Sequence, residues 1–131
     1  MKLVRQILKI FCGIIFLCLV TGCDPTVCVR ITIDNRSNEP ICYEPVPKLT
    51  MSSEYFSNFK IKCNSSIPIL LEYDPTFKKE KAIYHFLIFK ESTINKYSHR
   101  ELVEQDIYDK RYDLTYDELV AMNFTITYTG D

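Results

Sequence analysis

Few side chains in this sequence could activate a nucleophile. Acyl transfer by serine, threonine or cysteine needs a neighbouring base, and the chain has two histidines, His85 and His99. His85 lies in a strongly apolar stretch, where we expect a hydrogen-bonded core histidine, and His99 begins a predicted helix. The chain has no G-x-S-x-G nucleophile elbow. These features predict no catalytic residue and a protein that is not an enzyme.

Carboxylates are dense in the last third of the chain, where they could bind calcium or act as acid and base. They are Glu101, Glu104, Asp106, Asp109, Asp113, Asp117 and Glu118. A calcium loop needs a glycine at its sharp turn, but Lys110 and Arg111 interrupt this set and no glycine lies within it. Solvated helix starts and local ion pairs are the better interpretation. A hydrolase with two carboxylates distant in sequence remains an alternative.

The scarcity of glycine and the net charge of the chain exclude further classes of protein. Gly130 is the only glycine after residue 22, so the loops that cradle phosphates and dinucleotides are excluded. The net charge is −1, and the basic group of Lys78, Lys79 and Lys81 is interrupted by an acidic residue and predicts a solvated loop. Nucleic-acid binding needs clustered cations, so we expect no nucleic-acid partner.

The cysteines lack the spacing of a metal site. The chain has six and no C-x-x-C, so we expect no metal and no other cofactor. Three of them, Cys28, Cys42 and Cys63, follow the segment that export would remove or modify. Two alternatives stay open: a Cys42–Cys63 disulfide, worth roughly 3 kcal/mol for a loop of this size, or three unpaired thiols that act as small apolar side chains.

Residues 1–22 have the layout of an export signal. Residues 10–20 form an apolar run, shorter than the roughly 20 residues that span a bilayer as a helix. Three cations precede this run: Lys2, Arg5 and Lys9.

Residues 19–23, with the sequence LVTGC, resemble the lipobox at which bacterial lipoproteins are processed. The motif predicts cleavage between Gly22 and Cys23, lipid on Cys23, and a tether over residues 23–26. More than one acyl chain holds a protein stably on a membrane. The predicted location is the bacterial cell envelope, with the inner and outer membranes as alternatives. An ordinary secretory signal and an uncleaved anchor are the competing interpretations.

Residues 27–131 are long enough for one compact domain, and their patterns are mostly those of strands. Residues 27–34 alternate between apolar and polar, residues 35–38 form a turn, and residues 41–43 resume a strand, which together predict a hairpin. Prolines around the second strand predict that it lies at an edge or ends early. Further strands are predicted at residues 59–63 and 67–73, and residues 82–89, apolar on both faces, predict the central strand.

The C-terminal third predicts two short helices and a closing strand. Ser98 with Glu101 and Thr115 with Glu118 have the spacing of capping boxes. The predicted apolar side of the second helix consists of Leu119, Val120 and Met122, and a closing strand is predicted at residues 123–128. The predicted fold is mainly β: a single antiparallel β-sandwich or half-open barrel with two short C-terminal helical turns.

Nine tyrosines and no tryptophan add one further feature. Tyr108, Tyr112 and Tyr116 recur in a polar region and could form a stacking surface for a glycan or a protein partner. The alternative is that they line the interior of the domain with their hydroxyls at its rim.

The C-terminal third also resembles a known group. The segments KRYDLT at 110–115, DEL at 117–119, MNF at 122–124 and ITY at 126–128 are similar to the ends of small lipoproteins of the Bacteroides type. The lipobox and the turn at residues 33–38 fit the same pattern, and the group commonly has tryptophan at the position of Phe124. The resemblance implies an envelope location and the domain boundaries, and it transfers no catalytic residue.

The sequence therefore predicts a lipid-anchored envelope β-domain that acts as a binding module. Its expected partners are the membrane, through the lipid on Cys23, and an envelope protein or a glycan. Two alternatives remain: a small carboxylate-dependent hydrolase acting on carbohydrate, and a structural accessory subunit of an envelope complex. A cavity that holds two carboxylates would favour the enzyme, and an aromatic patch would favour the binding module.

Overall fold

The computed structural model of the protein describes residues 26–51 and 60–131. Strands hold 42% and helices 21% of the residues described, so the mainly-β prediction is confirmed. The elements follow in this order: β1 (Val27–Asn35), β2 (Ile41–Glu44), β3 (Ser65–Tyr73), a 3-10 turn (Lys79–Lys81), β4 (Ile83–Lys90), α1 (Glu91–Lys96), α2 (His99–Glu104), β5 (Lys110–Thr115), α3 (Tyr116–Ala121) and β6 (Thr125–Tyr128).

Contacts divide the chain into two compact units. In the described residues, the first consists of Thr26, Val27 and Glu72–Phe77. In its described part, the rings of Tyr73 and Phe77 stack with centroids 3.8 Å apart, and the Asp74 carboxylate accepts a hydrogen bond from the Thr76 amide at 2.8 Å. The second unit, Cys28–Leu71 with Lys78–Asp131, carries nearly all of the secondary structure.

One sheet has the strand order β3-β1-β6. The alternating pattern of β1 buries Val29, Ile31 and Ile33, each at most 3% exposed, on one face. β1 and β6 run parallel, with Thr32 opposite Thr125. These two strands therefore depart from the antiparallel pairing that the sequence predicts for most of the fold. A parallel pair needs a long crossover, and here most of the chain lies between its members.

The other sheet has the order β2-β4-β5, and both pairs are antiparallel. β4 is its central strand, as predicted, and it buries apolar side chains on both faces, whereas Ile83 at its start is 48% exposed. The buried ones are Tyr84, Phe86, Leu87, Ile88 and Phe89. Leu49, Leu87 and Phe89 form a buried apolar cluster. Three half-buried side chains pack against it: Val46 from the loop after β2, Ile94 from α1 and Val103 from α2. The described strands form two open sheets and no closed barrel.

The predicted hairpin of β1 and β2 is wrong, since the two strands belong to different sheets. β2 lies at a sheet edge, as its prolines predict. The strand predicted at residues 59–63 is reduced, within the described residues, to one bridge between Ile61 and Ile41. The local polar pattern predicted a turn correctly but could not specify which strand the chain would join after it.

Asn35 shapes the turn that carries the chain from one sheet to the other. Its side chain is fully buried. The Nδ2 group donates to the carbonyls of Glu39 at 2.9 Å and Ile61 at 3.1 Å. Oδ1 accepts from the Ser37 amide at 3.0 Å and from the Ser37 hydroxyl at 2.7 Å. One side chain thus bonds to backbone groups of the turn and to the Ile61 carbonyl, which also accepts from the Ile41 amide at 3.0 Å.

Both predicted capping boxes are present. The Ser98 and Thr115 hydroxyls accept from the amides of Glu101 and Glu118, whose carboxylates accept from the cap amides in return. α1 was not predicted, and it has no side-chain cap. In α3, Leu119 is buried as expected, but Val120 and Met122 are 51% and 37% exposed, so their assignment to a buried face is wrong.

Among the described residues, no helix combines the length and the apolarity needed to span a membrane. The predicted signal peptide lies outside those residues.

Candidate functional site

The predicted lipid attachment site, Gly22 and Cys23, lies outside the described residues. The later cysteines lie inside them, and none of the three is joined to another by a disulfide. Cys42 is 2% exposed in β2, where burial raises its thiol pKa, whereas Cys63 is half-buried in the turn before β3. The structure therefore lacks the Cys42–Cys63 disulfide, which was one of the two alternatives left open by the sequence. Loop length alone does not fix the side-chain geometry that a disulfide needs.

The three tyrosines have different surroundings. Tyr108 is 36% exposed. Tyr112 is half-buried on β5, burial raises its hydroxyl pKa, and its hydroxyl donates to the Thr127 carbonyl of β6 at 3.3 Å, which links the two sheets. Tyr116 begins α3 and contributes to a cavity. Of the predicted stacking surface, the structure therefore brings one member to a concave site.

That cavity has a volume of about 200 Å³. Four separate parts of the second unit line it: β1, the 3-10 turn, the start of α3 and the residue before β6. The lining residues are Cys28, Val29, Arg30, Lys79, Tyr116 and Phe124. We name these residues the cationic–aromatic pocket.

The turn after α3 sets the position of Phe124. The Asn123 amide donates to the Val120 carbonyl at 3.0 Å and the Phe124 amide to the Leu119 carbonyl at 2.7 Å, which is the bonding of a Schellman motif. Asn123 and Phe124 have φ angles of 53° and 52°. Asparagine tolerates this left-handed conformation, but for a bulky residue such as phenylalanine it is strained.

The neighbouring strand secures the strained turn. The Thr32 amide of β1 donates to the Phe124 carbonyl at 2.8 Å, and the parallel pairing of β1 and β6 begins at the next residue. The Phe124 ring meets the Tyr116 ring edge to face, with centroids 5.6 Å apart and planes 65° apart. The turn that leads into β6 therefore places the Phe124 ring against the Tyr116 ring, and these two rings form the aromatic side of the pocket.

Positive charge dominates the pocket. The Lys79 ammonium lies 5.2 Å from the centroid of the Tyr116 ring, within cation–π range, and Arg30 projects from the exposed face of β1. None of the six lining residues is acidic. Lys79 is half-buried, so the solvated loop predicted for its segment is wrong at this position, while Lys78 and Lys81 are exposed as expected.

Sequence reasoning did not assign Arg30, Lys79 or Phe124 to a site. These three residues are far apart in the sequence, and none of them belongs to a local sequence motif that indicates binding. The available local signal was the Asn-Phe pair after a short capped helix, because asparagine at that position favours a left-handed helix end.

His85 is not a core histidine, contrary to the prediction. Its side chain is 30% exposed on β4, and Nδ1 lies 2.6 Å from Oδ1 of Asp113 on β5. Arg111 donates to the other oxygen of Asp113 at 2.8 Å. The guanidinium and the histidine hold the pKa of Asp113 below its usual value. His85 faces outward because β5, directly opposite, presents polar residues there.

A histidine held by a carboxylate is half of a nucleophile-activating arrangement. Within the described residues, no serine, threonine or cysteine side chain is hydrogen-bonded to His85. The His85–Asp113–Arg111 group therefore acts as a cross-strand ion cluster on the sheet surface. It does not line the cationic–aromatic pocket.

Among the described residues, Glu44 is the carboxyl group whose pKa is raised, because burial disfavours its charge while His99 partly opposes the effect. Its Oε1 atom is buried without a hydrogen-bond partner. A two-carboxylate hydrolase needs a second such group in the same cavity, and Glu44 is not among the residues that line the pocket.

Comparisons with protein-family models, with curated proteins and with solved structures gave no match. The resemblance to Bacteroides-type lipoproteins stays a prediction.

Proposed function

We propose that the protein is a lipid-anchored domain of the bacterial cell envelope that acts as a binding module. The observation that carries the binding role is the cationic–aromatic pocket. It offers two cations and two aromatic rings in one concavity, and none of its described lining residues is a carboxylate or a histidine. Such a lining suits recognition of a ligand by charge and stacking, and it lacks the acid and base groups on which the hydrolase alternative depends.

The lipobox supports the anchor. β1 begins at Val27, only a few residues after the proposed lipid site at Cys23, so the tether leaves the domain close to the bilayer surface. A ligand presented at the membrane or in the adjacent envelope would be within its reach. The two cations of the pocket would also be attracted to anionic groups in those surroundings.

Membrane fractionation and intact mass of the expressed full chain test the anchor. We expect a protein in the membrane fraction whose mass lacks residues 1–22 and includes acyl chains. Cys23→Ala should move the protein to the soluble fraction, and the matched variant Cys28→Ala should leave it in the membrane. An unlipidated wild-type mass, or a Cys23→Ala protein that stays in the membrane, would refute the anchor.

A further inference from the structure

The cationic–aromatic pocket has two cations, Arg30 and Lys79, for which the described part of the chain supplies no carboxylate partner. Three arginines in the described residues each pair with a carboxylate: Arg36 with Asp34, Arg100 with Glu104, and Arg111 with Asp113. Arg30 forms no ion pair with any residue that the structure describes. The Lys79 ammonium has the Tyr116 ring as its neighbour but likewise no carboxylate.

This missing counter-charge defines one part of the ligand. A guanidinium presents paired N–H groups that match the two oxygens of a carboxylate, and an ammonium adds a second, less directional contact. Arg30 and Lys79 line one cavity, so a single carboxylate there would satisfy two cations that the described residues leave without a counter-charge.

The rings and the size of the pocket define the other part. Tyr116 and Phe124 present aromatic surface that favours a flat, apolar face on the ligand. A volume of about 200 Å³ is below the range of roughly 300–1,000 Å³ typical of pockets for drug-sized molecules. The pocket therefore suits one ring with its substituents and excludes a bulky cofactor.

We infer that the cationic–aromatic pocket binds a small carboxylate-bearing ring, with the carboxylate at Arg30 and Lys79 and the ring against Phe124 and Tyr116. This inference rests on the proposed binding function and names its ligand class. Two sources have this chemistry: an acidic sugar unit, whose C–H face stacks on an aromatic ring, and an aromatic acid.

Four small probe molecules test separately whether binding needs the ring and whether it needs the carboxylate. D-Glucuronate combines a sugar ring with a carboxylate, benzoate combines an aromatic ring with one, D-glucose has the ring without the charge, and acetate has the charge without the ring. Each is titrated into the full-length protein in detergent by calorimetry. We expect glucuronate or benzoate to bind at least tenfold more tightly than both glucose and acetate.

Binding by glucuronate alone would identify the acidic sugar as the source, and binding by benzoate alone the aromatic acid. If acetate bound as tightly as glucuronate and benzoate, the ring would not contribute to recognition. If glucose bound as tightly as they do, the carboxylate would not contribute. Either result, or no binding by any probe, overturns the inference. The anchor is measured separately by fractionation, so a failed titration refutes the ligand class without refuting the membrane attachment.

Variants place the ligand in the pocket. Arg30→Gln and Lys79→Met should each weaken binding about tenfold, which corresponds to ~1.4 kcal/mol. The matched surface variants Arg100→Gln and Lys78→Met should leave affinity unchanged. Melting temperatures equal to wild type would show that the pocket variants fold. Equal weakening by the matched variants would overturn the assignment.

Cys28 provides a site-specific reporter, because it is exposed and lines the pocket. The bound ligand should slow its alkylation by N-ethylmaleimide several-fold, as followed by peptide mass spectrometry, while the rate at Cys63 stays constant. A ligand that binds without protecting Cys28 would lie elsewhere, and the inference would be wrong.

Discussion

At the scale of single residues, the second unit contains polar groups with very different degrees of satisfaction. The buried Asn35 side chain uses both of its polar atoms in four hydrogen bonds. Tyr128 is equally buried, at 1% exposure, but its hydroxyl has no hydrogen-bond partner among the residues that the structure describes. A satisfied buried group stabilises the fold, whereas an unsatisfied one lowers its stability.

Tyr128 leads to a prediction for alkaline pH. Burial, with a smaller effect from Asp109, raises its pKa from 10.0 to about 12. Below pH 10 the hydroxyl is protonated in both the folded and the unfolded chain, so its ionisation does not affect stability. Between pH 10 and 12 the unfolded chain ionises first, and the free energy of unfolding should fall as the pH rises.

Tyr128→Phe removes this ionisation and an unpartnered hydroxyl. At pH 7 we expect unchanged stability or a gain of up to about 1 kcal/mol, and a shallower decline between pH 10 and 12, measured by urea unfolding. Tyr112→Phe is the matched control: it loses the hydrogen bond to Thr127 and should cost about 1 kcal/mol at pH 7. A loss in Tyr128→Phe as large as the control's would show that the Tyr128 hydroxyl has a partner.

At the scale of elements, the turn between α3 and β6 connects local sequence to the pocket. α3 is only six residues long, and it is held at one end by its capping box and at the other by the Schellman bonding of Asn123 and Phe124. This turn reverses the chain and aligns β6 with β1. Its conformation therefore controls both the sheet pairing and the placement of the Phe124 ring.

Asn123 should be sensitive to substitution because of its φ of 53°. Asn123→Ala places a less tolerant side chain in the left-handed region and should destabilise the domain by about 1 kcal/mol. Asn123→Gly should preserve or slightly raise stability. Asn95→Ala, at an exposed site in α1, is the control and should be close to neutral. Equal melting temperatures for Asn123→Ala and wild type would contradict the role of this turn.

The elements also show which features the sequence could predict. The alternation of β1, the apolar run of β4 and both capping boxes are local patterns, and each produced the expected element. The partner of β1 was not predictable in this way, because the signal for β6 lies almost a hundred residues later. The pocket depends on that pairing: it combines Arg30, Lys79, Tyr116 and Phe124, and no periodicity connects these positions.

Two errors have a related cause. His85 lies in an apolar run, and Val120 and Met122 follow a buried Leu119, so apolar neighbours suggested burial for all three. Exposure is set by what the rest of the fold places opposite each side chain. β5 presents Asp113 to His85, while the short α3 leaves Val120 and Met122 exposed beside its buried face.

At the scale of the whole molecule, stability depends on the sheet centred on β4. Leu87 is 1% exposed and belongs to the cluster with Leu49 and Phe89. Leu87→Ala should cost about 2–5 kcal/mol through lost burial and the cavity that remains. Leu87→Asp adds a charge with no ionic partner in apolar surroundings, and since small domains have only about 5–15 kcal/mol of stability, we expect it to unfold the second unit.

Circular dichroism and thermal melting test this prediction, with Leu70→Asp as the matched control. Leu70 lies on β3 and is 50% exposed, so the same substitution there should reach solvent and leave a cooperative melt. A cooperative melt for Leu87→Asp near the wild-type temperature would mean that the cluster around β4 does not carry the stability of the unit. Loss of the melt in Leu87→Asp alone would identify β4 as the strand on which both the sheet and its attached helices depend.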